Sequence, residues 1–144
     1  MTRYLLDVNV LIALIDPAHV HHDSAHRWFG SKGKRQWATC PLTENSAIRI
    51  VSNHKYPNYV SSPGQVVAVL AKLRALSGYE FWPDDISLLD RKIIDAKRLL
   101  SSGQITDSYL LALASAHGGQ LATFDIRLVV DAVPQGRTAL HVID

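Results

Sequence analysis

Four acidic residues occupy positions where their side chains point to chemistry. Asp7 closes the apolar run in LLDVNVLI, and Asp125 closes the one in LATFDIRL. Glu44 and Asp107 each head a stripe of apolar residues at helical spacing, so both are aimed at the core-facing side of a helix. The stripes are Ala47, Ile48 and Val51 after Glu44, and Leu110, Leu111 and Ala114 after Asp107. Ligands of open parallel sheets bind outside the carboxyl ends of the strands, where we expect these four acids.

If the four carboxylates meet in one cleft, their mutual repulsion raises one or more pKa values unless a cation neutralises them. Ligation by oxygen alone selects hard ions such as Mg²⁺ or Mn²⁺. A metal held this way activates water and neutralises charge on a phosphoryl group. The four acids therefore predict metal-dependent hydrolysis of phosphodiester bonds.

Each acid also has a purely structural interpretation. Aspartate often begins turns, which would account for Asp7 and Asp125. With Thr43 and Thr106 as N-caps, Glu44 and Asp107 would gain about 0.3–1 kcal/mol from the helix macrodipole. The macrodipole does not select the buried face, so the inward aim of both residues favours a functional role.

Apolar runs and helical periodicity alternate along the chain as in an α/β domain. The predicted strands are Tyr4 to Val8, Gln36 to Cys40, Tyr79 to Trp82, Gln120 to Phe124 and Ala139 to Ile143. The predicted helices are His22 to Phe29, Glu44 to Asn53, Val66 to Leu76, Lys92 to Leu100 and Ser108 to Ala116. Because parallel neighbours need crossover connections, this order predicts a mainly parallel sheet of about five strands flanked by helices.

The composition indicates one globular domain over residues 1–144. The chain is 47% hydrophobic and carries a formal charge of +2, too small to identify a nucleic-acid binder by itself. No run is long enough to span a membrane, and the first sixteen residues do not resemble a signal peptide, so we expect a cytoplasmic protein. The single cysteine, Cys40, forms no internal disulfide and is expected to be a small buried hydrophobe, not a nucleophile.

The segments LLDVNVLI, LTENSAIRI, ITDSYLLALA and LATFDIRL together resemble the spaced acidic motifs of PIN-domain ribonucleases, especially the VapC-type toxins of toxin-antitoxin modules. The resemblance spans almost the whole chain. It implies a PIN-like fold, RNA endonuclease activity dependent on Mg²⁺ or Mn²⁺, and an antitoxin partner that blocks the site. It assigns catalytic roles to Asp7, Glu44, Asp107 and Asp125, the metal to Asp7, Asp107 and Asp125, and polar support to Asn9 and Thr123.

One feature departs from that family pattern. Many relatives carry a further acid close to the last motif aspartate, whereas Ile126 and Arg127 follow Asp125 here. Arg127, like Arg49, lies close in sequence to a motif acid. Both arginines are therefore candidates for RNA binding, the alternative being ion pairs within the acidic cluster.

Other basic and aromatic residues suggest weaker sites. Basic residues cluster at Lys32, Lys34 and Arg35 and again at Arg91, Lys92, Lys97 and Arg98, where Asp90 and Asp95 make a solvated helix face an equal alternative. The aromatic residues Trp28, Phe29, Trp37 and Trp82 are expected to pack in the core or an interface. The helix predicted at Val66 to Leu76 is apolar on more than one face, so part of it, or the surface near His22 to Phe29, is expected to bind an antitoxin or a second copy of the chain.

The histidines offer a competing metal site. His22 and His26 have the i, i+4 spacing of a zinc pair, but no cysteine or H-E-x-x-H motif accompanies them. We therefore expect capping and packing roles there, and a helix-end role for His117.

Three other functions remain open. A receiver-type signalling domain would need an acidic pair after the first strand and a late lysine, which LLDVN and ALHVID lack. A non-catalytic binding module fits poorly with an intact acidic quartet. A non-toxin RNA-processing nuclease is the nearest alternative, and a short upstream antitoxin-like gene would argue against it.

Overall fold

The computed structural model describes residues 1–59 and 62–144, and over these ranges the chain forms a five-stranded sheet with helices on both faces. The strands are β1 (Tyr4–Leu6), β2 (Trp37–Thr39), β3 (Tyr79–Phe81), β4 (Gln120–Thr123) and β5 (Leu140–Val142). The helices are α1 (Val8–Ile15), α2 (His22–Ser31), α3 (Pro41–Val51), α4 (Pro63–Arg74) and α5 (Ile105–Ala116). Short 3₁₀ turns span Gly33–Arg35, Ala96–Arg98 and Ser102–Gln104.

The strands lie in the order β3-β2-β1-β4-β5, and every neighbouring pair is parallel. The chain runs outward from β1 to β2 and β3, then returns to place β4 on the other side of β1. This reversal of direction makes the β1–β4 boundary the switch point of the sheet, where the carboxyl ends of the strands open a crevice. The predicted parallel α/β architecture is confirmed.

Two apolar layers hold the sheet between them. Leu6 packs with α1 to α4 on one face, while the adjacent Leu5 points to the other face and packs with α5. Alternation of side chains along a strand produces this division. The four aromatic residues expected in the core, Trp28, Phe29, Trp37 and Trp82, are all buried.

The predicted helix over Lys92 to Leu100 is wrong, because only the short 3₁₀ turn Ala96–Arg98 forms there. The Asp90 carboxylate accepts a hydrogen bond from the backbone N–H of Lys92 at 2.9 Å, and the Asp95 carboxylate accepts one from Lys97 at 3.2 Å. Such bonds from a side chain to the backbone two residues on compete with helix formation. The basic residues 91–98 therefore lie on an irregular segment, with Arg98 paired to Asp95 at 3.3 Å.

Helix α1 was not predicted, and the first strand is shorter than expected, since it ends at Leu6. Apart from Asn9, the sequence VNVLIALI is apolar around the helix, with Val10 to Leu14 buried, so it shows no amphipathic period. Its start is fixed by Asp7, whose carboxylate accepts a hydrogen bond from the N–H of Val8 at 2.7 Å. No helix within residues 1–59 and 62–144 is long and apolar enough to cross a membrane.

The helices that carry Glu44 and Asp107 begin earlier than predicted, so neither Thr43 nor Thr106 is an N-cap. Helix α3 is capped at Cys40, and the Thr43 hydroxyl returns to bond the N–H and the C=O of Cys40 at 3.1 and 3.0 Å. Helix α5 begins at Ile105 after Gln104. Both acids still lie in the first turn, and the apolar stripes that follow them face the core as predicted.

Candidate active site

The Thr123 side chain connects the first and last acidic motifs. This fully buried residue ends β4, and its hydroxyl donates to Asp7 Oδ2 at 2.8 Å. The same oxygen accepts from the Asn9 amide at 3.1 Å and from the backbone N–H of Asp125 at 3.1 Å. Asn9 completes the link by accepting from the N–H of Phe124 at 3.3 Å. Asn9 and Thr123 thus fix the ends of β1 and β4 relative to each other across the switch point.

Three carboxylates share the electrostatic environment of this crevice. Burial, together with the charges of Asp7 and Asp125, raises the pKa of Asp107 from 3.8 to about 6. The pKa of Asp7 is also raised, chiefly by burial and slightly by Asp125, against the opposing hydrogen bonds from Thr123 and Val8. The N–H of Arg127 donates to Asp125 Oδ1 at 2.9 Å, which orients that carboxylate. Strand ends and the first turn of α5 therefore bring Asp7, Asp107 and Asp125 into mutual repulsion.

Glu44 is held by a network of its own, and its place in one cluster with the other three acids stays a prediction. Its Oε2 accepts from the Thr39 hydroxyl at 2.6 Å and forms an ion pair with Arg74 at 3.2 Å. The Tyr79 hydroxyl lies 2.6 Å from Thr39 Oγ1 and 3.3 Å from Glu44 Oε2. Since Thr39 uses its single proton on Glu44, Tyr79 donates to Thr39.

The sequence did not reveal the residues that anchor Glu44. Thr39 ends β2, Tyr79 begins β3 and Arg74 ends α4, so these side chains converge only through the fold. The Arg74 guanidinium also stacks on the rings of Tyr79 and Phe81, at 4.9 and 5.3 Å. Only the position of Tyr79 at the start of a predicted strand could have suggested a role.

The donor set of the crevice suits a hard divalent ion, because it consists of carboxylate oxygens that repel one another. Within residues 1–59 and 62–144, however, no three or more His, Cys, Asp or Glu side chains form a ready-made cage for a metal. Mg²⁺ is compatible with this arrangement, since it usually keeps several waters and contacts few carboxylates.

The two candidate RNA-binding arginines are both exposed. Arg49 lies in the last turn of α3, and Arg127 follows β4 two residues after Asp125. Neither forms an ion pair with any residue in the described ranges. Their guanidinium groups are therefore available to an anionic ligand.

The histidines near α2 are engaged with the backbone of α1. One ring nitrogen of His22 lies 2.7 Å from the Ala13 carbonyl, and one of His26 lies 2.8 Å from the Leu14 carbonyl. The two rings contact each other with centroids 4.3 Å apart. These contacts fasten α2 to α1, in agreement with the expected packing role.

Two further residues behave as predicted. Cys40 is fully buried, and burial raises the pKa of its thiol to about 11, which leaves it protonated and poorly nucleophilic. His117 ends α5, stacks on Trp82 and bonds the Asp85 carboxylate at 3.0 Å. Neither position belongs to the crevice.

Comparison with known proteins agrees with this fold. Residues 4–132 match the PIN domain family. Ribonuclease VapC44 of Mycobacterium tuberculosis is 44% identical over 140 residues, which cover 97% of this chain and 97% of the relative.

Two solved structures share the fold at low sequence identity. Mycobacterium tuberculosis VapC20, described as a Sarcin-Ricin loop cleaving toxin, has a TM-score of 0.62 at 15% identity and covers 92% of this chain and 97% of its own. VapBC2 from Rickettsia felis, bound to a DNA fragment from its promoter, has a TM-score of 0.58 at 16% identity, with 99% of both chains covered. A parallel α/β domain with an acidic crevice is the class that the fold and the site define. The chain belongs to the PIN-domain family, among its VapC-type ribonucleases.

Proposed function

We propose that this protein is an RNA endonuclease and the toxin of a toxin-antitoxin module, and that it hydrolyses RNA phosphodiester bonds with a metal-activated water. The observation that carries the proposal is the group of repelling carboxylates at the switch point, on a chain whose relatives are VapC ribonucleases. Repulsion of this kind costs stability and is typical of sites that bind a cation.

Asp7, Asp107 and Asp125 are the proposed metal-binding residues, and Glu44 completes the catalytic set from its own anchored position. The expected ion is Mg²⁺, for which Mn²⁺ can substitute. When bound, the ion supplies Lewis acidity for water activation and neutralises charge on the phosphate.

The remaining residues of the site hold these groups and the substrate. Thr123 and Asn9 keep Asp7 oriented through the 2.8 Å and 3.1 Å bonds at the Thr123 hydroxyl. Arg49 and Arg127 offer positive charge to RNA phosphates. The chain thereby supplies a preorganised site, so little reorganisation is needed when RNA enters.

Dependence on metal is the direct test of this function. Purified protein is expected to cleave single-stranded or loop RNA with Mg²⁺ or Mn²⁺, to stop in EDTA and to show little turnover with Ca²⁺. Activity should return when excess Mg²⁺ is added back. Cleavage that continues undiminished in EDTA would exclude the metal mechanism.

The chemistry of the product ends tests the nucleophile. Because an activated water, not the ribose 2′-hydroxyl, is the proposed nucleophile, the downstream fragment should carry a 5′-phosphate. Mass spectrometry of the fragments distinguishes this end from a cyclic 2′,3′-phosphate, whose presence would contradict the mechanism.

A cognate antitoxin is the proposed protein partner, by analogy with the VapBC2 assembly that shares this fold. Since RNA is the proposed substrate, the cytoplasm is the proposed place of action. Co-expression with the product of the adjacent gene, followed by affinity capture, tests the pairing. Recovery of the chain alone would count against it and would favour a non-toxin processing nuclease.

Helix α4 offers a surface for a second copy of the chain. It buries Val66 and Leu70 but leaves Val67, Val69 and the following Leu76 about half exposed, at 48%, 46% and 48%. These side chains flank the buried stripe of α4, so a partner that packs along the helix could cover them. We therefore propose a homodimer that uses α4.

A further inference from the structure

A cavity of about 210 Å³ adjoins the acidic crevice on the side of α5. It is lined by Ser101, Gly103, Gln104, Asp107, Arg127 and Val129. Asp107 is shared with the proposed metal site, so a ligand in this cavity lies next to the reacting phosphate. Arg127 is the cationic side chain of the lining, and Asp107 is the acidic one.

Both walls of the cavity are fixed by hydrogen bonds. On one side, the buried side chain of Gln104 accepts from the N–H of Leu100 at 2.9 Å and donates to the carbonyl of Arg98 at 2.8 Å. On the other side, the N–H of Arg127 is bonded to the Asp125 carboxylate at 2.9 Å. The backbone from which the Arg127 side chain extends is therefore held in place by Asp125.

The charges of the cavity indicate its ligand. An RNA strand approaching Asp7, Asp107 and Asp125 is repelled by them, and a guanidinium beside these acids offsets that repulsion for one phosphate. Arginine presents its donors as a planar fork that matches two phosphate oxygens. Arg127 is exposed and unpaired within the described residues, so no ion pair has to break before it binds.

We propose that this cavity is a subsite for the RNA phosphate next to the scissile one, with Arg127 as its binding residue and Gly103 in its wall. The subsite rests on the proposed RNA endonuclease function. Gly103 lines the cavity, and a Cβ built on it meets nothing within 4 Å, so a side chain can be introduced there without a clash at Cβ.

Binding and cleavage are measured separately, so that failure of the subsite and failure of the nuclease function can be told apart. Binding of short single-stranded RNA is followed by fluorescence anisotropy in Ca²⁺, where little turnover is expected. Arg127→Ala is expected to weaken binding about tenfold or more, as for loss of a hydrogen bond between charged groups. The slope of log K against log salt should fall by about 0.7, the contribution of one single-strand phosphate.

Gly103→Leu should weaken binding similarly, and the double variant should bind no more weakly than the weaker single variant, because both changes remove one contact. Arg137→Ala and Gly30→Leu are the matched controls. Arg137 precedes β5 at the amino end of the parallel strands, opposite the carboxyl ends that form the crevice, and Gly30 is another glycine whose Cβ meets nothing within 4 Å. Both controls are expected to bind RNA like the parent protein.

Cleavage in Mg²⁺ then locates the phosphate. Each RNA phosphate in turn is replaced by a neutral methylphosphonate. The parent protein should cleave more slowly when one particular phosphate beside the cut is replaced. The cleavage rate of the Arg127→Ala variant should not change with that replacement. An unchanged salt slope, additive losses in the double variant, or an identical methylphosphonate profile would overturn the subsite. A parent protein that binds no RNA at all would overturn it as well. RNA binding that shows the expected losses without any cleavage would overturn the nuclease function, and with it the position of this phosphate beside a scissile bond, while supporting the cavity as a phosphate-binding site.

Discussion

Asp107 couples the acidity of the site to the stability of the protein. Its pKa is about 6 in the folded protein against 3.8 for an ordinary aspartate, so the folded state holds more protons between these values. In the absence of metal, the free energy of unfolding therefore falls as the pH rises from about 4 to 6. Above that range Asp107 is ionised in both states, and the loss of stability does not grow further.

Asp107→Asn removes this titration. In EDTA at neutral pH the variant is expected to melt at the same or a higher temperature, with a gain within about 0.5–2 kcal/mol. With Mg²⁺ the difference should close or reverse, because binding stabilises only the intact site. RNA cleavage should fall by orders of magnitude. Calorimetry at several pH values, with and without Mg²⁺, measures the first two effects.

Asp23→Asn provides the matched control, since Asp23 is also an acid in the first turn of a helix but is exposed on α2. It should lose a little stability at any metal concentration and retain cleavage. If Asp107→Asn behaves in the same way, Asp107 is a helix-terminus residue and the shared site is refuted.

The contacts of Glu44 make a second prediction at the scale of the residue. Tyr79→Phe removes the hydroxyl that donates to Thr39, and through Thr39 it loosens the carboxylate of Glu44. Removing a group that orients a carboxylate of the site typically lowers activity by about 10–100-fold. We expect kcat to fall in that range with little change in KM or melting temperature. Tyr59→Phe serves as the control, and equal rates for both variants would show that Glu44 needs no such anchor.

At the scale of the element, the turn before β3 depends on glycine. Gly78 has a φ of +86°, and a Cβ there would lie 2.3 Å from the carbonyl oxygen of Lys34. Gly78→Ala should therefore cost about 1–3 kcal/mol or more in unfolding free energy. Gly30→Ala, at an open position inside α2, should instead gain about 0.5–1 kcal/mol. Denaturant titration of both variants compares them, and similar values would contradict the role of this turn.

The errors in predicting elements from sequence have local physical causes. The parallel sheet was predictable because its apolar runs are separated by helical periodicity. Helix α1 was missed because a buried helix without a polar face resembles the apolar run of a strand. Residues 92–100 were wrongly predicted to be a helix. The Asp90 and Asp95 carboxylates accept hydrogen bonds from backbone N–H groups there, which competes with helix formation.

The candidate site was predictable to the extent that it follows from strand ends. Asp7 and Asp125 follow neighbouring strands at the switch point, so sequence order and topology place them together. The position of Glu44 depends on Arg74 and Tyr79, which lie 30 and 35 residues away in the chain. Contacts at this separation leave no periodic signal, and only the folded chain reveals which residues anchor Glu44.

At the scale of the whole molecule, the two faces of α4 differ in what they contact. Val66 and Leu70 join the core, while Val67 and Val69 flank this buried stripe on opposite sides, each at about half exposure. Burying apolar surface stabilises an assembly by about 25 cal/mol per Å². A second copy of the chain that packs along the flank of Val69 would therefore gain stability by burying apolar surface that is exposed in the monomer.

A charged substitution at Val69 tests the proposed dimer. Light scattering of the isolated parent protein should give twice the mass of one chain. Val69→Lys should shift it to the monomer, because an ammonium buried at an apolar interface without a partner is strongly unfavourable. Val20→Lys is the control, since Val20 is 86% exposed on the turn before α2, and this variant should remain dimeric. Because Val69 contributes nothing to the acidic crevice, RNA cleavage per site should survive in the monomer. A parent protein that is already monomeric, or a Val69→Lys protein that stays dimeric, would exclude α4 as the interface between copies.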